Sequence, residues 1–148
     1  MRLDKLIAKT PAINIEQIFS DSRLKVKNGM FFCLKGMIND GHLYVDEAIN
    51  NGAVCVVHAD DLSNYVEDIV YIKVMDVYAV LADVTDRFYG HVSKKMKVFG
   101  VTGTNGKSSI AITIKNIMSK KKACGYIGTI GIEYNNIHMS TGSTTPDV

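Results

Sequence analysis

The residues whose types and spacing could do chemistry lie in one short segment, Gly100-Val-Thr-Gly-Thr-Asn-Gly-Lys-Ser-Ser109. Its glycines at 103 and 106 allow a sharp turn with inward-pointing N–H groups, and a helix starting after them adds partial positive charge. Lys107 supplies a mobile cation for β- and γ-phosphates, and the Ser108 hydroxyl is placed to ligate Mg²⁺. The segment is therefore predicted to hold the phosphates of a nucleoside triphosphate together with magnesium.

The segment departs from the general phosphate-loop pattern G-x-x-x-x-G-K-[ST] at one position, because Val101 stands where the pattern has glycine. A glycine-rich turn with an incidental lysine is the alternative interpretation. We favour the phosphate loop, since the glycines, the Lys-Ser pair, a strand pattern before them and a helix pattern after them occur together.

The elements that must position this loop are a strand at Lys97–Val101, a helix from about Ser108 to Lys121, and a second strand at Tyr126–Ile130. The order predicts the start of a parallel βαβ unit. The apolar face of the helix is predicted at Ile110, Ile114, Ile117 and Met118.

The preceding part of the chain alternates short strands with short helices, which predicts an α/β fold. Strands are predicted at Met30–Leu34, Ala53–Val57 and Val70–Val74, and a helix at Leu43–Asn50 that stops at Asn51-Gly52. A second helix follows from the apolar spacing of Val77, Leu81, Val84 and Phe88, and Gly90 ends it. We place the boundary in the polar stretch 91–95, which predicts one small α/β domain at 1–94 and an incomplete second domain at 95–148.

The formal net charge of +2 hides an asymmetry between these two parts. Residues 1–93 carry a net charge of −4, and residues 94–148 carry +6. The second part therefore has the electrostatics of a segment that handles anions. A nucleotide fits better than a nucleic acid, because the basic residues lack interleaved aromatic side chains.

Cysteine usage and hydropathy favour a cytoplasmic protein that is not inserted in a membrane. The cysteines are odd in number and form no CxxC pair, which argues against a disulfide framework and suits a reducing compartment. No apolar run approaches the length of a membrane span, and the first residues show no secretion signal. Cys33 and Cys55 are expected in the core, and the four histidines are interpreted as structural or surface residues.

A resemblance to a known family rests on several motifs together. The loop TGTNGKS at 102–108 is similar to the ATP loop of the Mur ligase family, which also includes folylpolyglutamate synthases. The N-terminal part resembles the same family through Asp21-Ser-Arg23, Gly29-Met-Phe-Phe32, Asp40-Gly-His42 and Asn51-Gly-Ala53. Gly128-Thr-Ile-Gly131 followed by Thr144-Thr-Pro-Asp147 is most similar to the family members that add the third residue of the cell-wall peptide.

The resemblance implies ATP-dependent amide formation in peptidoglycan biosynthesis. The terminal D-Glu carboxylate of UDP-MurNAc-L-Ala-D-Glu would be phosphorylated by ATP, and the amine of a diamino acid would attack the acyl phosphate. The family pattern places ATP on Gly103, Thr104, Asn105, Gly106, Lys107, Ser108 and Ser109, with Lys107 as the catalytic cation and Ser108 as a Mg²⁺ ligand.

Three further residues match family positions that contact the UDP-MurNAc substrate: Ser22, Thr144 and Thr145. For Ser22 a purely local role in a turn is an equal alternative, and for Asp21 and Arg23 we favour that local role. For the two threonines the alternative is a helix cap before Pro146, which is compatible with anion binding.

The family features that lie beyond Val148 include a further magnesium-binding acid, a carbamylated lysine, the adenine site and the domain that selects the amino acid. We therefore expect the chain to be an N-terminal portion of such a ligase and inactive by itself. Two alternatives stay open: a stand-alone nucleotide-binding or regulatory module, and a folylpolyglutamate synthase-like ligase.

Overall fold

The computed structural model describes residues 1–37 and 39–140, which form two compact units. The first unit runs from Met1 to Met96 and the second begins at Lys97.

The first unit is built on a four-stranded sheet in which every pair of neighbours is parallel. In sheet order its strands are β1 (Gln17–Phe19), β2 (Gly29–Phe32), β3 (Ala53–His58) and β4 (Val70–Lys73). Its α-helices are α1 (Leu3–Leu6), α2 (Val45–Asn50) and α3 (Val77–Phe88), and 3-10 turns occupy Gly41–Tyr44 and Val92–Lys95. The α/β class expected from the alternation of strand and helix patterns is confirmed.

The sheet is covered on both faces, because successive side chains of its strands point to opposite sides. On β2, Met30 and Phe32 join the apolar layer that also contains residues of α1 and α3. Phe31 lies in the opposite layer, with Val45 and Ala48 of α2. The near-continuous apolar composition of the strands follows from this double burial.

Helix α3 shows why these residues form a helix with these ends. The Asp76 side chain caps it by accepting a hydrogen bond from the Ala79 N–H at 3.0 Å. Val77, Leu81 and Val84 are buried on one face, as their spacing predicted. The chain then leaves the helix at Gly90, whose φ is +74°.

Gly52 lets the chain turn sharply from α2 into β3. Its φ is +106°, and a Cβ at this position would overlap the carbonyl oxygen of Val26. Its neighbour Asn51 accepts the Val26 N–H through its own carbonyl oxygen at 2.8 Å. Only glycine fits this turn, as the Asn51-Gly52 stop signal indicated.

The second unit contains one helix, α4 (Lys107–Ser119), and three described strands, β5 (Gly125–Gly128), β6 (Gly131–Tyr134) and β7 (Ile137–Met139). Neighbouring strands are antiparallel and are joined by two-residue turns. Asn135 takes the left-handed conformation in the second turn, with φ +52°.

This antiparallel sheet corrects the expectation of a parallel βαβ unit. Residues 97–101 form no strand, although their composition predicted one. The reason is that a strand needs a partner for its backbone hydrogen bonds, and within residues 97–140 the three strands pair only with one another.

The predicted apolar residues of α4 are largely uncovered in this structure. Of the four residues expected on it, Ile110, Ile117 and Met118 are exposed and Ile114 is half-buried. No residue of α4 is fully buried.

The buried cysteines behave as small apolar core residues. Burial raises the pKa of the Cys33 and Cys55 thiols to about 12. Both are free thiols, as is the half-buried Cys124. The expectation that Cys33 and Cys55 belong to the core is confirmed, and their reactive thiolate form is strongly disfavoured at neutral pH.

Candidate functional site

The candidate phosphate loop immediately precedes α4 in the second unit. Gly103 and Gly106 both have positive φ values, +151° and +77°. Gly106 occupies the N-cap position and its carbonyl oxygen accepts the Ile110 N–H at 2.9 Å, so the helix starts directly at Lys107. The first N–H groups of α4 have no acceptor within the helix, which leaves them available to an anion.

The Lys107 side chain folds back over the loop that precedes it. Its Nζ donates to the Gly103 carbonyl oxygen at 2.6 Å and to the Thr104 carbonyl oxygen at 3.2 Å. The ammonium group is thereby held above the glycine turn and remains exposed. A phosphate resting on the turn would meet this cation beside the helix N-terminus.

Ser108 follows on the first turn of α4 and is half-buried. Its Oγ lies 3.4 Å from Oγ1 of Thr129, in the turn between β5 and β6. Thr129 was not singled out as a site residue from the sequence, although it lies in the Gly128-Thr-Ile-Gly131 motif. The contact places a second hydroxyl beside the candidate magnesium ligand.

The residues of this loop fit ATP and Mg²⁺ by their chemistry. The two glycines with positive φ, the free N–H groups of the helix start and one lysine ammonium suit phosphate oxygens. A serine hydroxyl is a hard oxygen donor of the kind that Mg²⁺ takes alongside phosphate oxygens. The predicted residues 103–109 are thus contiguous around one helix start.

Ser22 belongs to the first unit, just beyond the carboxyl end of β1. It is 8% exposed, and its Oγ donates to Oε2 of Glu47 on α2 at 2.5 Å. Its carbonyl oxygen accepts the Asn51 side-chain amide at 2.8 Å. The hydroxyl therefore already has a protein partner, but this partner is a side chain on α2 and not the nearby turn backbone that the local alternative proposed.

We expect Ser22→Ala to lower the free energy of unfolding of the first unit by about 1 kcal/mol, because one hydrogen bond between the loop after β1 and α2 is lost. Urea unfolding followed by circular dichroism measures this. Ser63→Ala is the control, since Ser63 is exposed and should change stability little. Equal stability of the two variants would contradict a structural role of the Ser22 hydroxyl.

Asp21 and Arg23, which flank Ser22, pair with each other. The Arg23 guanidinium donates to both Asp21 carboxylate oxygens, at 2.8 and 2.6 Å, and the Arg23 N–H donates at 3.1 Å. The Arg23 side chain lowers the pKa of the Asp21 carboxyl. These contacts agree with the local role favoured for both residues.

The Asp40-Gly41-His42 motif ties two strand ends together. Asp40 Oδ1 accepts from the His42 N–H at 3.0 Å and lies 2.5 Å from His42 Nδ1. His42 Nε2 accepts the N–H groups of Ala59 and Asp60, which follow β3, at 3.1 and 3.2 Å. A side chain at Gly41 would press on the Leu34 backbone, which explains the glycine between them.

Two predicted substrate residues, Thr144 and Thr145, lie outside the described residues, as does the predicted helix start before Pro146. Ser22 lies in the first unit and residues 103–109 in the second. The predicted ATP residues therefore lie together around one turn of the second unit. Ser22 is the one predicted substrate residue among the described residues, and it lies in the first unit.

Solved structures of known proteins resemble this chain in fold. No protein-family model matches the chain. Among solved structures, MurF from Acinetobacter baumannii matches with a TM-score of 0.62 at 23% identity, over 78% of this chain and 24% of that chain. MurF ligase from Thermotoga maritima, solved in complex with ADP, matches with a TM-score of 0.55 at 24% identity, over 72% of this chain and 24% of that one. These likenesses establish the fold.

The sequence relatives are more specific. The UDP-N-acetylmuramoyl-L-alanyl-D-glutamate–2,6-diaminopimelate ligase of Clostridioides difficile is 40% identical over 136 residues, 91% of this chain and 28% of the relative. The chain is a Mur ligase homologue. UDP-N-acetylmuramyl-tripeptide synthetase 2 of Oceanobacillus iheyensis is 33% identical over 150 residues, 100% of this chain and 30% of the relative.

The Mur ligase homologue thus spans less than a third of the length of the curated relatives it matches. Along residues 1–37 and 39–140, no helix is both long and apolar enough to cross a membrane.

Proposed function

We propose that the chain is the N-terminal portion of an ATP-dependent ligase of peptidoglycan biosynthesis. The ligase would add a diamino acid, meso-diaminopimelate or L-lysine, to UDP-MurNAc-L-Ala-D-Glu. The observation that carries the proposal is 40% identity, across 91% of the chain, to a ligase that is named for this acceptor and for diaminopimelate. The glycine turn and lysine at the start of α4 support it independently.

The two units would divide the substrates between them. We assign residues 1–94 to the uridine nucleotide of the UDP-MurNAc substrate and residues from 95 onward to ATP. In parallel α/β sheets, ligands bind beyond the carboxyl ends of the strands. Ser22 and the Asp40-Gly41-His42 motif follow β1 and β2 at that edge of the first sheet, so this edge is the candidate uridine-nucleotide site.

The residues of the phosphate loop would act by holding and orienting charge. The N–H groups around Gly103 and Gly106 would bind the terminal phosphates, and Lys107 would neutralise the charge of the transferred phosphoryl group. Thr144 and Thr145 would contact the UDP-MurNAc substrate, as would Ser22. Mg²⁺, when bound, supplies positive charge to the phosphate oxygens, and Ser108 would hold it.

The D-Glu carboxylate would accept the phosphoryl group, and the amine of the diamino acid would attack the resulting acyl phosphate. We infer a cytoplasmic location, where the nucleotide substrates are available and where the free thiols stay reduced. Because the chain spans about 28% of the relative named above, we expect no ligation by the isolated chain.

The two assignments can be tested separately by ¹H–¹⁵N NMR on the isotopically labelled chain. Millimolar ATP with Mg²⁺ is expected to shift the amide resonances of residues 103–109. Millimolar UDP is expected to shift resonances of the first unit near Ser22 and His42. Each nucleotide acts as the control for the other.

If the amide resonances of residues 103–109 do not shift at the highest soluble concentration of ATP with Mg²⁺, the assignment of the phosphate loop is contradicted. Shifts by UDP in the second unit alone would contradict the assignment of the uridine nucleotide to the first. Efficient ATP-dependent ligation by the isolated chain would refute the proposal that it is one portion of the enzyme.

A further inference from the structure

We propose that the His42 ring carries a proton on Nδ1 only and, in this neutral form, fixes the edge loop to the end of β3. Protonation of Nε2 would release the loop. We call this arrangement the latch. The edge loop comprises residues 34–37 and 39–41, between β2 and the 3-10 turn at Gly41–Tyr44. The latch itself stands on geometry alone, and its consequence for ligand binding rests on the proposed function.

The hydrogen bonds of the ring fix its tautomer. Backbone N–H groups are always donors, so the Nε2 atom that receives the N–H groups of Ala59 and Asp60 must present a lone pair. Nδ1 lies 2.5 Å from a carboxylate oxygen of Asp40, which can only accept, so Nδ1 carries the proton. The His42 side chain is 9% exposed, which keeps water from replacing either contact.

Among the described residues of the edge loop, a second side-chain connection reaches the chain after β3, and it is weaker. Lys35 bonds Asp60 at 2.9 Å, but both side chains are more than half exposed, and such pairs contribute little to stability. Within the loop, the Gly36 N–H donates to the Asn39 carbonyl oxygen, which shapes the loop without joining it to β3. His42 therefore provides the main attachment to the strand end.

Protonation of Nε2 would abolish this attachment, because an N–H group cannot accept from Ala59 or Asp60 and two backbone donors would lose their partner. Asp40 is the carboxylate that contacts the ring, Asp46 and Asp61 line the same surface pocket as His42, and the Lys35 ammonium lies near the Asp40 and Asp60 carboxylates. Lys73 pairs with Asp61, and His58 Nδ1 contacts the Asp60 carbonyl oxygen at 2.9 Å.

The side chains around His42 do not suit a metal ion. Asp40, His42 and Asp60 have ligand atoms within 4.8 Å of one another. Both ring nitrogens are already hydrogen-bonded, and the Lys35 ammonium lies 2.9 Å from Asp60 and 3.6 Å from Asp40. The carboxylates thus have a cation from the chain itself.

The tautomer can be read without any substitution, from the ring ¹⁵N shifts of the wild-type chain in long-range ¹H–¹⁵N spectra. At neutral pH we expect His42 to carry its proton on Nδ1. As the ring is protonated on acidification, hydrogen exchange at Ala59 and Asp60 should accelerate over the same pH interval, after correction for intrinsic rates. A proton on Nε2 at neutral pH would overturn the proposal. So would hydrogen exchange at Ala59 and Asp60 that does not change as the ring is protonated.

Variants provide the second measurement. His42→Ala is expected to accelerate exchange at Ala59 and Asp60 roughly tenfold at neutral pH, because both amides lose their acceptor. Asp40→Asn should retain the Nδ1 proton, since its Oδ1 still accepts. His138→Ala, at a histidine of the second unit with a 59% exposed side chain, is the control and should leave both amides unchanged.

The link to ligand binding is tested by repeating the nucleotide titrations with His42→Ala. The shifts induced by UDP at the edge loop should weaken severalfold, and those of ATP with Mg²⁺ at 103–109 should persist. Undiminished UDP affinity in His42→Ala would overturn the positioning role. If UDP fails to bind the wild-type chain, the uridine proposal fails, whereas the tautomer and exchange results still decide the latch.

Discussion

Gly52→Ala is expected to lower the free energy of unfolding of the first unit by about 3 kcal/mol or more. Two costs add at this position. The φ of +106° is strained for a residue with a Cβ, and that Cβ would overlap the Val26 carbonyl oxygen, which is backbone and cannot rotate away. Since small domains are stable by only about 5–15 kcal/mol, this change removes a large share of the total.

Urea unfolding followed by circular dichroism measures the loss, and the chain provides a matched control. Gly90 also has a positive φ, +74°, but a Cβ there would meet nothing within 4 Å. Gly90→Ala should therefore show the backbone strain alone, about 1 kcal/mol. Equal losses for the two variants would mean that close approach to Val26 does not govern the turn between α2 and β3.

Lys107→Ala is expected to weaken binding of ATP with Mg²⁺ by at least about tenfold, because a charge-assisted hydrogen bond to phosphate is lost. The lysine that now caps two carbonyl oxygens of its own loop would exchange those contacts for phosphate oxygens. Titration of the amide resonances of residues 103–109 with ATP and Mg²⁺ gives the dissociation constants of the wild-type chain and of the variant.

Lys120→Ala is the matched control for this loss. Lys120 directly follows α4 at its other end and is exposed, so its removal changes the net charge equally without touching the loop. We expect little change in nucleotide affinity. A comparable loss in both variants would show that the affinity reflects overall positive charge instead of a cation held over the glycine turn.

The first unit was largely predictable because the spacing of its apolar residues matches the faces that the fold buries. The spacing of Val77, Leu81 and Val84 fits a helix, and these residues are the ones that α3 buries. The apolar runs at β2 and β3 suit strands buried on both faces. By contrast, β1 is only three residues long and α1 only four, so neither leaves a clear periodic pattern.

The second unit was predicted less well because strand formation depends on partners that composition does not reveal. Lys97–Val101 has strand-like composition but no strand beside it in the described part of the unit. The strands β6 and β7 were missed, although Asn135-Asn136 between two alternating segments is a hairpin signal. The helix after the candidate phosphate loop was predicted correctly, since its start depends on local residues.

The candidate substrate edge was predicted in part. Asp21-Ser-Arg23 and Asp40-Gly-His42 were noticed as motifs, but the bond from Ser22 to Glu47 and those from His42 to Ala59 and Asp60 join residues 17 or more positions apart. Pairing at such separations follows from sheet order, which a single sequence does not specify.

The exposure of α4 bears on how the chain loses its structure. A helix without a fully buried residue adds little apolar stabilisation, whereas the first unit encloses two apolar layers. We therefore expect opening free energies to differ widely within the chain, and we expect the second unit to unfold at a lower denaturant concentration than the first. A midpoint measured by helix signal would mix two transitions, so each unit needs its own probe.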